Sequence, residues 1–222
     1  ATVIRIGLSA PITGNYAEYG QNFEVSVRMA VDEINAKGGI RGMKVEVVVM
    51  DSKSDPKEAA LIAQKFVDDP TIVAEIGDFS STACLAAAPI YERAGMVQLS
   101  PTASSPLFAP SGEYMFGIVG TQTDEGPFNA KNIAQDYLGL KTVATLYINN
   151  DWGKVTNSTF VEAAKKINLN VVTEQFFMDS EKDFTAVLTK IRQLNPDGIF
   201  LAAMYNEASA IARQIQKMGW KV

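Results

Sequence analysis

From Gly20 to Asp51 the chain writes a helix, a tight turn and a strand in one uninterrupted run, GQNFEVSVRMAVDEINAKGGIRGMKVEVVVMD. Phe23, Val27, Ala30, Val31 and Ile34 recur at three- and four-residue spacing, which is the stripe of an amphipathic helix. Gly38 and Gly39 then supply the left-handed backbone that ends such a helix. At residues 45–50 alternation or continuous apolarity takes over as a strand, and residues 3–8 precede the run as another apolar strand. The loop across residues 9–20 therefore opens above the carboxyl end of a strand and leads to a helix. That is where ligands bind in open α/β sheets.

The same alternation continues. Strand-like apolar runs recur at residues 73–76, 97–99, 115–119, 143–148, 171–176 and 198–203. Helical stripes lie between most of them, at residues 59–67, 81–94, 125–137, 155–167, 184–194 and 208–218, with Pro56 placed for the first turn of the second helix. Strict alternation predicts α/β architecture: parallel sheets flanked by helices on both faces. The rhythm breaks once, at residues 100–122, where Pro101, Pro106, Pro110 and Gly112 make a loop and a lone strand has no helix after it. We read this as the crossover between two Rossmann-like lobes, residues 1–120 and 121–222. The second has only three strand–helix units, so it is expected to be incomplete, with an exposed sheet edge.

Composition excludes several classes of function. With 222 residues, 47% hydrophobic and 20% charged, the chain is an ordinary globular one. No stretch approaches the roughly 18 consecutive apolar residues of a membrane span. A net charge of −5 with no basic cluster argues against nucleic acid. Histidine is absent, which removes the usual general base and the centre of a Ser-His-Asp arrangement, so no enzyme is expected. The lone Cys84 has no disulfide partner, no Cys/His set suits zinc, and no cofactor motif occurs. Gly153-Lys154 is not a phosphate loop, because Val155 stands where Ser or Thr is required. Asp51 and Asp55 hint at a metal, but two lone carboxylates near a turn are usually a solvated loop and a cap, so no metal is expected. The chain opens on Ala1 without an initiator Met, as expected if a signal peptide has been cut away or if the start is artificial.

Four strand ends carry candidate binding residues. Gly77-Asp-Phe-Ser-Ser-Thr82 leaves a strand and opens a helix, so backbone N–H groups, the helix dipole and the hydroxyls of Ser80 and Ser81 would welcome a carboxylate or phosphate. One of those serines read alone is simply an N-cap. Ser100-Pro-Thr-Ala-Ser-Ser-Pro106 adds hydroxyls at the next strand end, or is a plain polar loop. In the second lobe, Asn149-Asn-Asp-Trp-Gly-Lys154 and Met204-Tyr-Asn-Glu207 place Trp152 and Tyr205 at strand ends, as a binding wall or as packing. Glu181-Lys-Asp-Phe184 reads as a helix entrance.

Together these pieces resemble the periplasmic leucine/isoleucine/valine-binding proteins, the type I solute-binding proteins of branched-chain amino acid ABC transporters. The resemblance runs the whole length and rests on residues 7–14 with Tyr19-Gly20, on Ile34-Asn-Ala-Lys-Gly-Gly-Ile-Arg-Gly42, and on Ser80-Ser81. It rests further on Tyr91-Glu92, Ser100-Pro101, Asp151-Trp-Gly153 and Glu181-Lys-Asp-Phe184. It implies two lobes that close on a ligand, with the closed form read by a membrane permease, in the periplasm or outside the cytoplasm and without membrane insertion.

It implies site residues as well. The Ser81 hydroxyl and amide would bind an α-carboxylate, with Ser80 beside it, and the Thr102 carbonyl and Ser104 hydroxyl would hold an ammonium. Tyr19 and Phe79 would line the side-chain pocket, and Trp152, with Tyr205 or its neighbour Met204, would cover it. Ser104 replaces a common Thr and Trp152 a common Tyr. The family's acidic ammonium partner falls beyond residue 222, as does the return of the chain to its first lobe, so a carboxyl-terminal truncation is expected. The ligand implied foremost is a branched-chain or other aliphatic amino acid. Alternatives are an aromatic acid or amide, or a sensing domain of a receptor or regulator with the same fold.

Overall fold

The computed structural model describes residues 3–179 and 181–222, which divide after Val119 into two compact units. In the first, β1 (Val3–Ala10), α1 (Ala17–Ala36), β2 (Lys44–Asp51), α2 (Pro56–Asp68), β3 (Ile72–Gly77), α3 (Ser81–Ala94), β4 (Val97–Ser100) and β5 (Met115–Gly117) follow in turn. All the strand pairs are parallel, in the order β2-β1-β3-β4-β5. The chain thus steps from β1 outward to β2, crosses back over β1, and proceeds the other way through β3. The loops leaving β1 and β3 diverge at this switch point, which opens a crevice above the carboxyl ends of two adjacent strands.

Alternation along each strand decides which side chains meet which helix. Gly7 faces α2, where a Cβ would stand 2.6 Å from the Phe66 ring, so glycine is what lets that ring lie flat on the strand. Phe66, Tyr91, Phe108 and Met115, with Ile62, Ala63, Cys84 and Ala87, form the buried core on this side. Ile6, Val45 and Ile76 face α1 with Val27, Ala30, Val31 and Ile34, but they line an open apolar cleft. The coverage of both faces expected from alternation is therefore uneven in this unit, because α1 is the one helix packed on that side among the described residues. Asn35 ties the end of α1 to β2, its side chain accepting from the Val45 N–H at 2.8 Å and donating to the Val45 carbonyl at 2.9 Å.

The second unit runs α4 (Gln122–Phe128), a π-helical stretch (Asn129–Tyr137), β6 (Thr142–Ile148), α5 (Asp151–Lys166), β7 (Asn170–Phe177), α6 (Thr185–Gln193), β8 (Gly198–Ala202) and α7 (Tyr205–Lys217). Its parallel order β7-β6-β8 contains the same reversal, now between β6 and β8. Here both faces are covered. Phe160, Val161, Ala164, Ala130 and Ala134 pack on one side; Phe177, Phe184, Leu188, Ile191 and Ile211 pack on the other. Among the described residues β7 and β8 are the outer strands of this sheet, on either side of β6.

Several boundaries differ from the sequence expectation, three of them for a clear local reason. Helix α1 begins at Ala17, so Tyr19 and Gly20 lie in its first turns and not in the loop. A Cβ on Gly20 would strike the Pro11 carbonyl, and only glycine lets the helix rest there. The single helix expected over residues 125–137 is α-helical and then π-helical, the wider winding following Pro127, which has no N–H to donate. β5 stops at Gly117 and not at Val119, because its neighbour β4 ends at Ser100, paired with Gly117, and Pro101 carries the chain away.

Gly7→Ala is expected to lower unfolding stability by roughly 1–3 kcal/mol through overpacking against Phe66. Phe66→Leu is expected to recover part of that loss when the two are combined. A double-mutant cycle in urea with purely additive effects would contradict this contact.

Candidate functional site

In the first unit the loops above β1, β3 and β4 are stitched together. Ser80 caps α3, its Oγ accepting from the Ala83 N–H at 3.2 Å and from the Ser54 hydroxyl at 2.9 Å. Its hydroxyl oxygen thus caps the helix and ties it to the loop after β2. Ser81 begins the helix, and its Oγ accepts from the Ser105 N–H at 3.1 Å, which leaves the hydroxyl hydrogen to donate elsewhere. Thr102 Oγ1 donates to the Phe79 carbonyl at 2.7 Å. Ser100 Oγ donates to the Asp78 carbonyl at 2.9 Å and accepts from the Ala103 N–H at 2.9 Å. The β3–α3 turn and the loop after β4, adjacent because their strands pair, are one hydrogen-bonded body. Ser104 lies buried within it.

Across the switch point, Tyr19 stacks on Phe79 with ring centroids 4.2 Å apart. Tyr16 at 5.4 Å and Phe23 at 6.5 Å complete an aromatic cluster around Phe79. Tyr16 and Phe23 were not singled out as site residues, although the aromatic spacing 16, 19 and 23 on one helical face was there to read. The loop that carries Tyr16 is held by Asp51, which accepts from the N–H groups of Ile12 at 2.9 Å, Thr13 at 3.2 Å and Lys53 at 3.0 Å, and from the Thr13 hydroxyl. Partial burial alone would raise the Asp51 pKa, but these bonds from Thr13, Lys53 and Ile12 together hold it below the usual carboxylate value. Asp55 caps α2, accepting from Lys57 N–H at 2.8 Å and Glu58 N–H at 3.1 Å. The two aspartates that hinted at a metal are a loop clasp and a cap. Among the described residues, no group of three or more His, Cys, Asp or Glu side chains is placed to hold a metal ion.

Beneath the turn lies a buried acidic pair that the sequence reading passed over. Asp78 is 1% exposed, and its carboxylate accepts from the Ser9 hydroxyl at 3.1 Å and from the Phe79 N–H. Burial pushes its pKa up to about 6 against the opposing pull of hydrogen bonds from Ser52, Phe79, Ser9 and Ser80. Glu75, equally buried, sits opposite Gln98 on β4. Burial, and then the charge of Asp78, push Glu75 well above the carboxylate range, with the Ser9 amide offsetting part of the rise. The signal was available: Glu75 interrupts the apolar run IVAEIG of β3.

The second unit repeats the geometry around its own switch point. Asn150 caps α5, accepting from the Gly153 N–H at 2.8 Å, and a Cβ on Gly153 would strike the Ile148 carbonyl. Trp152-Gly153 in α5 therefore matches Tyr19-Gly20 in α1: an aromatic in the opening turns, followed by the glycine that lets the helix touch the preceding strand end. Trp152 is half-buried against the core beneath α6 and α7. Tyr205, 37% exposed, begins α7 at the end of β8, with Met204 before it. β6 and β8 are paired, so these two aromatics stand at neighbouring strand ends. Glu207, also in the first turn of α7, is buried, and burial followed by the charge of Asp179 raises its pKa.

Acids whose pKa rises on folding stabilise the fold most fully at low pH. The contribution of Asp78 is expected to fade as the pH rises from about 4 to about 6, and that of Glu75 to fade as the pH rises above the ordinary carboxylate value. Melting temperature recorded across this range should decline less steeply in Glu75→Gln than in the wild type; identical slopes would remove Glu75 from the balance.

A periplasmic binding protein family model matches residues 3–222. An amino acid binding protein of Pseudomonas aeruginosa is 29% identical over 219 residues, covering 96% of this chain and 57% of its own length. The Leu/Ile/Val-binding protein of Escherichia coli K12 is 30% identical over 219 residues, covering 98% of this chain and 59% of that protein. The chain therefore spans less than two thirds of the relatives it matches. A crystal structure of the branched-chain amino acid transporter substrate-binding protein LivJ of Streptococcus pneumoniae with isoleucine superposes with a TM-score of 0.91 at 32% identity, covering 99% of this chain and 62% of that one. With switch-point loops built the same way in both units and a family model that matches from β1 to the last residue, the chain belongs to the periplasmic binding protein family.

Proposed function

We propose that this chain is the ligand-capturing part of an extracytoplasmic solute-binding protein that serves an ABC transporter, and that its ligand is a small carboxylate, a branched-chain or other aliphatic amino acid foremost. The observation that carries this reading is the stitched pair of strand ends in the first unit. Ser81 stands at the amino end of α3 with its hydroxyl hydrogen available, tied through Ser105 to the loop that carries Thr102 and Ser104. A helix amino terminus with a hydroxyl beside it suits a carboxylate. The Thr102 carbonyl and the Ser104 hydroxyl are then assigned to the ammonium, and the stacked Tyr19 and Phe79 to the apolar side chain of the ligand. Trp152 and Tyr205 are assigned the apolar contacts from the second unit.

Relatives named for leucine, isoleucine and valine support the amino acid class. The same kinship supports a membrane permease as partner, a place outside the cytoplasm, and capture without turnover. No helix among the described residues is long and apolar enough to cross a membrane.

Calorimetry on the full-length protein with leucine, and with benzoate as the aromatic comparison, tests the reading. Ser81→Ala removes a hydrogen bond to a charged group, worth about 1.5–3 kcal/mol, so leucine affinity should fall roughly tenfold to a hundredfold. Trp152→Ala should weaken binding by about tenfold or more. Unchanged affinity in both variants would overturn the site assignment, and tight benzoate binding with none for leucine would move the ligand to the aromatic acids.

A further inference from the structure

Two parts of the proposed ligand site lean on a loop that carries none of its residues. Residues 51–55 lead from the end of β2 into α2. In the strand order β2-β1-β3 the end of β1 separates this loop from the turn between β3 and α3, yet the loop is bonded to both. Asp51 Oδ1 accepts from the N–H groups of Ile12 at 2.9 Å and Thr13 at 3.2 Å, and Oδ2 accepts from the Thr13 hydroxyl. The Ile12 carbonyl in turn accepts from Gln21 Nε2 at 3.3 Å, and Gly20 sits against the Pro11 carbonyl. The first turns of α1, and Tyr19 with them, therefore rest on the stretch that Asp51 grips. Near the other end of the loop, Ser54 Oγ donates to Ser80 Oγ at 2.9 Å. Ser80 Oγ also accepts from the Ala83 N–H, so both bonds fix the cap of the helix that Ser81 begins.

The backbone of this loop is held in an uncommon form. Lys53 and Ser54 have φ of 53° and 58°, the one adjacent pair of non-glycine residues in the left-handed region among the described residues. That region is unfavourable for a residue with a Cβ, and it persists where surrounding bonds over-determine it, a condition met at ligand clamps. Here the Lys53 N–H donates to Asp51 Oδ1 at 3.0 Å and the Ser54 N–H to Ser52 Oγ at 3.1 Å. The Asp55 N–H donates to the Ser52 carbonyl and the Ser52 N–H to the Ala10 carbonyl, each at 2.9 Å. Entry into α2 calls for no more than the Asp55 cap. The left-handed pair lies instead between the Asp51 carboxylate on one side and the α2 cap on the other, and its second member is the residue that reaches Ser80.

Resting on the solute-binding reading above, we infer that this loop is the positioning element of the site and that its two contacts govern different parts of the ligand. Asp51, through the start of α1, sets the aromatic wall of Tyr19 and Phe79 that selects the side chain. Ser54, through Ser80, sets the turn that holds the carboxylate. Neither residue is assigned a contact with the ligand; each acts through the group it bonds.

The experiment measures leucine and alanine affinities of the full-length protein by titration calorimetry. The two ligands share ammonium and carboxylate and differ in the apolar side chain alone; valine replaces alanine if alanine binds too weakly to titrate. Asp51→Ala is expected to lower leucine affinity about threefold to tenfold more than alanine affinity, the scale of a lost hydrogen bond. Asp51→Asn, which keeps an oxygen for the N–H groups of Ile12, Thr13 and Lys53, should restore most of the ratio. Ser54→Ala is expected to weaken both ligands by a similar factor, about threefold to tenfold, and to leave their ratio as it was. Should Asp51→Ala fail to fold, Thr13→Val, which removes only the hydroxyl that bonds Asp51 Oδ2, carries the same shift in ratio at smaller size. A loop that merely stabilised the fold would give the two residues one signature. A ratio that holds in Asp51→Ala or its Thr13→Val substitute, a ratio that shifts in Ser54→Ala, or wild-type affinities in Ser54→Ala would each overturn the inference and leave the solute-binding reading standing. A wild type that binds no amino acid removes that reading, and this inference with it.

Discussion

The Asp78 carboxylate is buried without a cation and satisfied by hydroxyls and backbone amides from three strand ends and a helix turn. A buried charge must be paired or hydrogen-bonded to be tolerated, and here the donors are drawn from separate elements. Satisfying that one group therefore fixes where Ser9, Ser52, Phe79 and Ser80 stand relative to one another. The carbonyl of the same residue fixes Ser100. The loops above β1, β2, β3 and β4 are held in one arrangement, and the Ser81 hydroxyl and the Phe79 ring take their places from it.

Two opposed electrostatic tendencies meet in this region. Asp51, at the end of β2, is held ionised by Thr13, Lys53 and Ile12 and clasps the loop after β1. Asp78 and Glu75 are driven the other way by burial. Strand ends that point amides and helix dipoles upward can support negative charge at the rim, where water also helps. They support it poorly beneath the turn, where hydroxyls alone must replace water. A fold that gathers donors for an anion on its surface thus accumulates acids under that surface.

The two units solve the same packing problem with different residues. In each, the chain leaves its first strand, turns, and enters a helix pressed onto the strand end by a glycine, Gly20 against Pro11 and Gly153 against Ile148. The aromatic before each glycine is carried to the strand ends by the close approach that glycine permits. In the first unit that aromatic, Tyr19, meets Phe79 from across the switch point. In the second, Trp152 and Tyr205 rise from the paired strands β6 and β8.

Much of this was legible in the sequence. Periodicity alone placed the strands and helices to within a few residues, because a stripe such as Phe23 to Ile34 and a run such as VEVVVM fix element type through burial that each element must find locally. Glycine pairs and the proline-rich stretch marked the turns and the crossover for the same local reason. The chemistry at the strand ends was only half legible. Hydroxyl clusters announced donors, but that Ser80 Oγ caps α3 while Ser81 Oγ joins the next loop depends on which residue begins the helix and on Ser105, twenty-four positions away. The start of α1, the place of Tyr16 in the aromatic cluster, and the partnership of Asp78 with Ser9, sixty-nine positions distant, follow from strand order. Order is set by which faces pack together across the whole unit, and no local pattern records it.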